Sequence, residues 1–235
     1  MRKTMITAHS GCEGTPENSM ESILKGIGLG ADCVEIDVRM DPQGKMWLTH
    51  NEVEDYTTLV PLETALRKIA ESGTAVNCDI KEEKVLLPTL ELAQSVGIPR
   101  DKLIFSGSVD IDLLLQDPSI VRSAQIFLNL AQIFKFLISA SVEPETWEER
   151  GILFDDHIDG ITDIVKRLDV ECINPSFRLM SPQRIAACHA RGIGLSLWTV
   201  NEEFDQRRLL REGLVNMTTR NVASALRLRK EIREY

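Results

Sequence analysis

Short apolar runs alternate with amphipathic stretches along the whole chain, a pattern typical of repeated βα units around a parallel sheet. The apolar runs predict strands at Met5–His9, Cys33–Arg39, Thr74–Ile80, Lys102–Ser106, Ala124–Leu130, Glu171–Asn174, Gly194–Val200 and Leu214–Thr218. A further run, Lys45–His50, continues the second strand or pairs beside it. The amphipathic stretches predict helices at Glu17–Leu29, Leu62–Glu71, Leu86–Val96, Asp110–Leu115, within Ile133–Leu168, Pro182–Arg191, Glu203–Arg211 and Asn221–Arg233.

Glycine follows several of these helices and precedes a fresh apolar run, as expected of a left-handed helix stop. These glycines are Gly30, Gly73, Gly97, Gly192 and Gly213. Eight βα units without a Pro- or Ser-rich linker, in 235 residues, are typical of one closed barrel. We therefore predict an α/β protein with a single (β/α)8 TIM barrel spanning residues 1–235, with an open doubly wound sheet as the alternative.

Two acidic residues share one face of the second predicted strand. Alternate side chains of a strand point the same way, so Glu35 and Asp37 lie side by side. Two adjacent, half-buried carboxylates are costly unless a positive charge lies between them, and a hard divalent cation takes oxygen ligands of this kind. The alternative is an edge strand with a solvated acidic face. His9, His50 and Asp79 also lie at or near strand ends, where a barrel enzyme carries its chemistry.

The amino-acid composition argues against nucleic acid and membranes as partners. The formal charge of −9 and the isoelectric point of about 5.1 argue against nucleic acid, which requires a basic surface, and disfavour adsorption to anionic membranes. The longest apolar-rich stretch, Ala124–Ala140, contains polar residues that rule out stable membrane insertion: Gln125, Asn129, Gln132 and Lys135. The five cysteines are odd in number and lack CxxC spacing, which favours a reduced, cytoplasmic protein.

Besides these strand-end residues, a series of short motifs runs through most of the chain. In order they are His9, Pro16-Glu17-Asn18, Gly30-Ala31-Asp32, Glu35-Ile36-Asp37-Val38, His50, Asp79-Ile80-Lys81 and Trp198-Thr199-Val200-Asn201. In order and spacing they resemble the glycerophosphodiester phosphodiesterase family. The resemblance implies a TIM-barrel phosphodiesterase that hydrolyses glycerophosphodiesters, as small-molecule substrates, to glycerol phosphate and an alcohol.

The resemblance also assigns roles to residues. Glu35 and Asp37 would bind one divalent cation, Mg²⁺ or Ca²⁺, with Asp79 as third ligand where the family usually has Glu. His9 and His50 would be the acid and base pair, and Lys81 would face the substrate phosphate. Trp198 would form a wall of the substrate pocket, although a core aromatic residue is the alternative.

Three departures from the family pattern affect substrate binding. Ser10 stands where the family has Arg, so a bidentate phosphate contact is missing. Ser10 is still expected to bind the substrate, and Arg178 or Lys81 would supply the missing charge. The link from His50 to the next helix, at Leu62, is too short for the family's inserted subdomain. Thr219 replaces an Asp near the last strand.

Two alternatives remain for function. One is a catalytically weak or repurposed barrel that binds a phosphorylated ligand, and the other is a diesterase of another small diester or of a lysophospholipid. The remaining histidines have simpler explanations: His189 lies on a helix and is structural, and His157 lies in a solvated acidic loop.

Overall fold

Eight parallel strands form the barrel in the computed structural model, which describes residues 3–139 and 144–233. In chain order the strands are β1 (Met5–Ala8), β2 (Cys33–Met40), β3 (Met46–Leu48), β4 (Ala75–Ile80), β5 (Leu103–Gly107), β6 (Gln125–Leu128), β7 (Cys172–Ile173), β8 (Ser196–Leu197) and β9 (Asn216–Thr219). The ladder runs β7-β6-β5-β4-β2-β1-β9-β8, and β3 pairs antiparallel with β2 outside it. Parallel bridges from Ile173 to Leu195 and from Ser176 to Trp198 close the ring between β7 and β8. The predicted TIM barrel is confirmed.

Helices follow the barrel strands. They are α1 (Met20–Leu29), α2 (Leu62–Ser72), α3 (Leu86–Ser95), α4 (Ile111–Gln116), α5 (Ser119–Ser123), α6 (Leu130–Ile138), α7 (Trp147–Leu168), α8 (Pro182–Ala190), α9 (Glu203–Leu209) and α10 (Val222–Arg233). The glycines predicted to end helices all have positive φ, between 70° and 84°. Helix α5 was not predicted. The predicted helical stretch within Ile133–Leu168 contains α7 and most of α6, which begins earlier, at Leu130. Residues 140–143, which include the last residue of the stretch Ala124–Ala140, lie outside the described residues.

Strand register places the acidic residues together. Glu35 pairs with Asn77, and Asp37 pairs with Asp79, across β2 and β4. Because these side chains share a face, all four point into the barrel, while Ile36 lies in the core that packs against the helices. Beneath them, side chains of the same face form a separate apolar cluster: Met5, Cys33, Ala75, Ile104, Phe127, Cys172 and Val215. The barrel is therefore apolar at its amino end and polar at its carboxyl end.

A chain of hydrogen bonds crosses the middle of the barrel from β1 to β6. Thr7 Oγ1 donates to Asn216 Oδ1 (2.7 Å), and Asn216 Nδ2 donates to Ser196 Oγ (2.9 Å). Ser196 Oγ donates to Asn174 Oδ1 (2.7 Å), and Asn174 Nδ2 donates to Asn129 Oδ1 (2.8 Å). Paired polar groups of this kind avoid the cost of burial and fix one another's orientation.

Asp32 joins three segments at the amino end of the barrel. Its carboxylate accepts from Ile6 N (2.9 Å) and from Lys3 Nζ (2.8 Å), and it also contacts Arg229 of α10. Burial opposes the charge, but the bonds from Arg229, Lys3 and Ile6 N outweigh it and lower the pKa of Asp32. In a TIM barrel this end serves stability, whereas the chemistry lies at the opposite end. The Gly-Ala-Asp motif is therefore structural here.

We expect Asp32→Asn to lower the free energy of unfolding by about 1–3 kcal/mol, because charge-assisted hydrogen bonds are lost. Since the pKa of Asp32 is lowered in the folded protein, its contribution is present above the unfolded pKa of about 3.9 and is lost as the pH falls through the folded pKa. Urea unfolding of wild type and variant at several pH values measures this difference. The exposed Asp163→Asn on α7 is the control.

No helix within residues 3–139 and 144–233 combines the length and the apolar character needed to cross a membrane. The five cysteines are all free and buried.

Candidate active site

A cavity of about 550 Å³ opens at the carboxyl end of the barrel. It is lined by all the site residues predicted from the sequence except Ser10 and Arg178: His9, Glu35, Asp37, His50, Asp79, Lys81 and Trp198. Strand β1 delivers His9, β2 delivers the first two carboxylates, and the turn after β3 carries His50. The fold thus brings together residues that lie far apart in the sequence.

Three carboxylates form the floor of the cavity. One oxygen from each of Glu35, Asp37 and Asp79 lies within 4.8 Å of the others. The main-chain N–H of Ser10 donates to Glu35 Oε2 (2.8 Å). The Asn18 amide holds Asp37 from two sides, since Asn18 Nδ2 donates to Asp37 Oδ2 (2.8 Å) and Asp37 N donates to Asn18 Oδ1 (3.0 Å). Backbone and amide groups therefore fix two of the carboxylates in place.

Lys81 supplies positive charge beside this cluster. Its ammonium lies 2.7 Å from Asp37 Oδ1 and 3.0 Å from Asp79 Oδ2. Burial opposes the charge on Lys81, but Asp79 and Asp37 outweigh it and raise its pKa. Burial also raises the pKa of Glu35 well above its usual range, and the neighbouring Asp37 and Asp79 add to this effect. One ammonium therefore does not neutralise three carboxylates.

The donor set fits a hard divalent cation. Asp79 Oδ1 and Asn77 Oδ1 are buried acceptors without a hydrogen-bond partner, and both residues line the cavity. Unpaired buried oxygens beside a carboxylate cluster are costly unless a cation or water satisfies them. Carboxylate and amide oxygens are the ligands that Mg²⁺ and Ca²⁺ prefer. Glu35, Asp37 and Asp79 are the candidate ligands, and Asn77, which was not predicted from the sequence, lies directly opposite Glu35.

Gly107 makes room for Asp79. It has φ +82°, and a methyl group on its Cα would lie 2.0 Å from Asp79 Oδ1 and 2.4 Å from Ile80 O. Any larger residue would therefore displace the carboxylate or the end of β4. The third carboxylate depends on a glycine in the neighbouring strand.

His9 is held in one tautomer. Its Nδ1 lies 2.8 Å from Ser10 O, and because a carbonyl oxygen can only accept, Nδ1 carries the proton. Nε2 is then the nitrogen with the free lone pair. Burial lowers the pKa of His9, which favours the neutral ring.

His50 follows β3, lines the same cavity and is exposed. Its Nδ1 is 3.0 Å from Asn51 Oδ1, and its carbonyl oxygen accepts from Arg39 Nε (2.9 Å). Arg39 in turn pairs with Glu82, which follows β4 (3.2 Å). The cavity thus has one half-buried and one exposed imidazole.

Two predicted substrate-binding residues lie outside the cavity lining. The Ser10 hydroxyl is buried and accepts from Asn18 N (2.5 Å), so it stabilises the loop after β1. Arg178 is exposed, on the short helical turn Phe177–Leu179 that follows β7. Neither residue is among those that line the cavity, and substrate binding by Ser10 and Arg178 stays a prediction.

Arg220 brings a guanidinium next to Ser10, the position where the family has an arginine. It follows β9, lines the cavity, donates from Nε to Ser10 O (3.1 Å) and contacts Glu17. Strand pairing between β1 and β9 brings this guanidinium next to the segment after His9. Thr219, which stands where the family has Asp, is buried. Its hydroxyl accepts from Gln206 Nε2 (3.0 Å), so this residue stabilises the core.

Trp198 forms part of the far wall, and 38 % of it is exposed. Its indole Nε1 donates to Asn174 O (2.8 Å), which anchors the ring beside the polar chain that crosses the barrel. Asn174 and Asn129 also line this wall. The wall of the cavity opposite the carboxylates is therefore made of neutral amide and indole groups.

The other two histidines do not line the cavity. His189 is exposed on α8, as predicted. His157 lies inside α7, where Nδ1 donates to Leu153 O (2.9 Å) and the ring packs edge-on against Phe134. The prediction of a solvated loop for His157 is wrong, because the acidic residues around it occupy the outer face of a long helix.

Comparison with known proteins agrees with this geometry. Residues 9–105 match the glycerophosphoryl diester phosphodiesterase family. A glycerophosphodiester phosphodiesterase from Caldanaerobacter subterraneus is 20% identical over 230 residues, which cover 92% of this chain and 94% of that protein. An uncharacterized Bacillus subtilis protein is 33% identical over 105 residues, 43% of each chain.

Solved structures share the barrel. A glycerophosphodiester phosphodiesterase from Thermotoga maritima superposes with a TM-score of 0.73 at 19% identity, covering 97% of this chain and 99% of that one. A phosphodiesterase from Oleispira antarctica, solved in complex with the product sn-glycerol-3-phosphate, gives a TM-score of 0.68 at 18% identity and covers 95% and 96%. Several residues of these motifs line the cavity, and the chain is similar in sequence and in fold to the glycerophosphoryl diester phosphodiesterase family of phosphoric diester hydrolases.

Proposed function

We propose that this protein is a metal-dependent hydrolase of glycerophosphodiesters that yields glycerol phosphate and an alcohol. The observation that carries the proposal is the cavity itself, where three clustered carboxylates and a lysine share one wall with two histidines. A barrel that only binds a phosphorylated ligand has no need of two histidines, so their joint presence favours catalysis over the binding-only alternative.

Glu35, Asp37 and Asp79 are proposed to hold one Mg²⁺ or Ca²⁺ ion, which when bound stabilises the negative charge that develops on the phosphate oxygens. Asn18 and the Ser10 N–H orient two of these carboxylates. Lys81 lies close enough to the cluster to place a second positive charge on the same phosphate. Arg220 would supply the guanidinium that the family carries after the first histidine.

The two imidazoles are proposed to move the protons. One takes the proton of the attacking hydroxyl as the new P–O bond forms, and the other protonates the leaving oxygen as the old P–O bond breaks. The tautomer set by Ser10 O leaves Nε2 of His9 able to accept a proton. His50 lines the same cavity and is proposed to carry the other proton.

Two further parts of the proposal rest on the sequence. The enzyme acts as a single domain over residues 1–235, and its small-molecule substrate is met in the cytoplasm. The five free, buried thiols support a reducing compartment for this protein.

Phosphorus NMR tests the reaction directly. The protein is incubated with Mg²⁺ or Ca²⁺ and sn-glycero-3-phosphoethanol, and we expect the diester resonance to be replaced by that of a phosphomonoester, sn-glycerol 3-phosphate. Retention of the diester at enzyme concentrations that bind it would favour the binding-only alternative. A monoester of ethanol instead of glycerol would show that the other ester bond is cleaved.

A further inference from the structure

One arginine joins the turn that carries His50 to the strand that carries two of the carboxylates. Arg39 lies two residues beyond Asp37 in β2, so strand alternation places both side chains on the same face. The Nε of Arg39 donates to the main-chain carbonyl oxygen of His50 (2.9 Å). The Arg39 side chain is largely buried, with 16 % of it exposed. A half-buried donor on β2 therefore holds the backbone of a residue at the rim of the cavity.

His50 itself is exposed and has few other anchors. Its Nδ1 lies 3.0 Å from Asn51 Oδ1, but Asn51 belongs to the same turn and does not attach the ring to the barrel. Within the described part of the chain, two hydrogen bonds join this part of the turn to β2. Thr49 N donates to Asp37 O (3.1 Å), and Arg39 Nε donates to His50 O. The place of the imidazole relative to the carboxylates therefore depends on the bond from Arg39.

Glu82 orients the far end of the Arg39 side chain. Its Oε1 lies 3.2 Å from Arg39 Nη1, and its Oε2 lies 2.8 Å from Lys84 Nζ. Glu52 lies 3.7 Å from the same Nη1 but is 82 % exposed, so it contributes little. Because Glu82 follows β4, the guanidinium links β2, the turn that carries His50 and the end of β4.

Arg39 does not reach the reacting groups itself. Among the described residues, those that line the cavity include His50 but not Arg39. We propose that Arg39 is a positioning residue, whose bond to the His50 carbonyl oxygen holds the imidazole where it can transfer a proton. This inference rests on the proposed function, which gives His50 that role. Proton transfer requires heavy-atom distances of about 2.6–3.2 Å, so a small displacement of the turn lowers the rate.

Three substitutions separate this hydrogen bond from the charge pair with Glu82. In Arg39→Gln the amide nitrogen is attached to the same side-chain carbon as the arginine Nε, so a donor for His50 O remains and the positive charge is lost. Arg39→Lys keeps the positive charge for Glu82 but has a methylene group in place of Nε. Arg39→Met has neither the donor nor the charge.

Steady-state kinetics with sn-glycero-3-phosphoethanol and Mg²⁺ or Ca²⁺ compare these variants. We expect Arg39→Gln to keep kcat within about threefold of wild type, and Arg39→Lys and Arg39→Met to lose about tenfold, as for the loss of one hydrogen bond. KM should stay within about twofold in all three, because Arg39 does not line the cavity. Full activity of Arg39→Lys with a tenfold loss in Arg39→Gln would overturn the proposal in favour of the charge pair.

A double-mutant cycle shows whether Arg39 acts through His50. In the His50→Ala background, Arg39→Met should change kcat by less than about twofold, because the group it positions is already absent. A further tenfold loss in that background would overturn the proposal. The control is Arg191→Met, which removes an arginine after α8 that pairs with Asp159 (3.1 Å) and should leave kcat unchanged. Isothermal titration of the cation, with an affinity close to that of wild type, shows that each variant keeps the folded site.

NMR of the His50 ring tests the same contact without turnover. The Cε1–H resonance of His50, assigned from its loss in His50→Ala, should shift or broaden in Arg39→Met and remain in place in Arg39→Gln. An unchanged resonance in Arg39→Met would overturn the proposal. A wild-type protein that hydrolyses no diester, with the resonance displaced in Arg39→Met, would overturn the proposed function and support the hold of Arg39 on His50.

Discussion

Replacing His9 by alanine should lower kcat about 10²–10⁴-fold, and His50→Ala should do the same, because each imidazole is proposed to transfer a proton in the reaction. His9 lines the cavity with Nδ1 bonded to Ser10 O, and the exposed His50 lines the same cavity. Steady-state kinetics on the cation-loaded protein measure both variants. The losses should appear mainly in kcat, because neither ring is among the candidate ligands of the cation.

The two histidines that do not line the cavity are the controls for this experiment. His189→Ala on the exposed face of α8 and His157→Ala within α7 remove imidazoles that lie outside the cavity lining. Both should retain kcat within about twofold, although His157→Ala loses a ring contact with Phe134 and is less stable. A His189→Ala variant as impaired as His9→Ala would contradict the assignment of the catalytic histidines.

Glu35→Gln should abolish most of the activity and weaken the binding of Mg²⁺ and Ca²⁺ by at least tenfold, while the fold persists. The amide keeps the shape of the side chain but removes one negative charge from the cluster. Isothermal titration of the cation into chelator-treated protein gives the affinity independently of turnover. The exposed Glu91→Gln on α3 is the matched control and should bind the cation as wild type does.

The stability of the Glu35→Gln variant distinguishes a role of Glu35 in cation binding from a structural role. Burial and the charges of Asp37 and Asp79 raise the pKa of Glu35, so its ionised form is disfavoured in the cation-free protein. Neutral glutamine relieves that repulsion. We therefore expect the cation-free Glu35→Gln variant to be at least as stable to urea as cation-free wild type. A variant that is unstable even without cation would indicate that Glu35 serves the fold instead.

The alternation of residues along one strand predicted that two acidic side chains lie together. Glu35 and Asp37 are two positions apart in an apolar strand, so their shared face follows from strand geometry alone. The confirmed barrel then places the ends of neighbouring strands together, which brings His9, Asp79 and Lys81 to the same cavity. Periodicity is a strong signal when a strand has one buried face and one polar one.

Long-range contacts could not be predicted in this way. Arg220 reaches Ser10 across 210 residues, through the pairing of the first and last strands. A charged residue after the last strand has no local signal that tells which rim residue it contacts. The Pro-Glu-Asn motif did mark Asn18, but such a motif is equally typical of the start of a helix. In the structure Ser19, not Asn18, caps α1.

Element boundaries failed where tertiary context outweighs local pattern. Gly194–Val200 reads as one strand, but only Ser196–Leu197 joins the regular ladder, and Trp198 is held by an isolated bridge to Ser176. The acidic residues near His157 resemble a loop, yet Phe154, Ile161 and Val165 recur at helical spacing and bury the inner face of α7.

Removal and return of the cation test whether hydrolysis depends on the metal. The protein is treated with excess chelator, dialysed and assayed by phosphorus NMR with sn-glycero-3-phosphoethanol, before and after addition of Mg²⁺ or Ca²⁺. Three clustered carboxylates, two of them buried, lie beside a single lysine and predict hydrolysis that is lost on chelation and returns with the cation. Full hydrolysis in excess chelator would contradict the account.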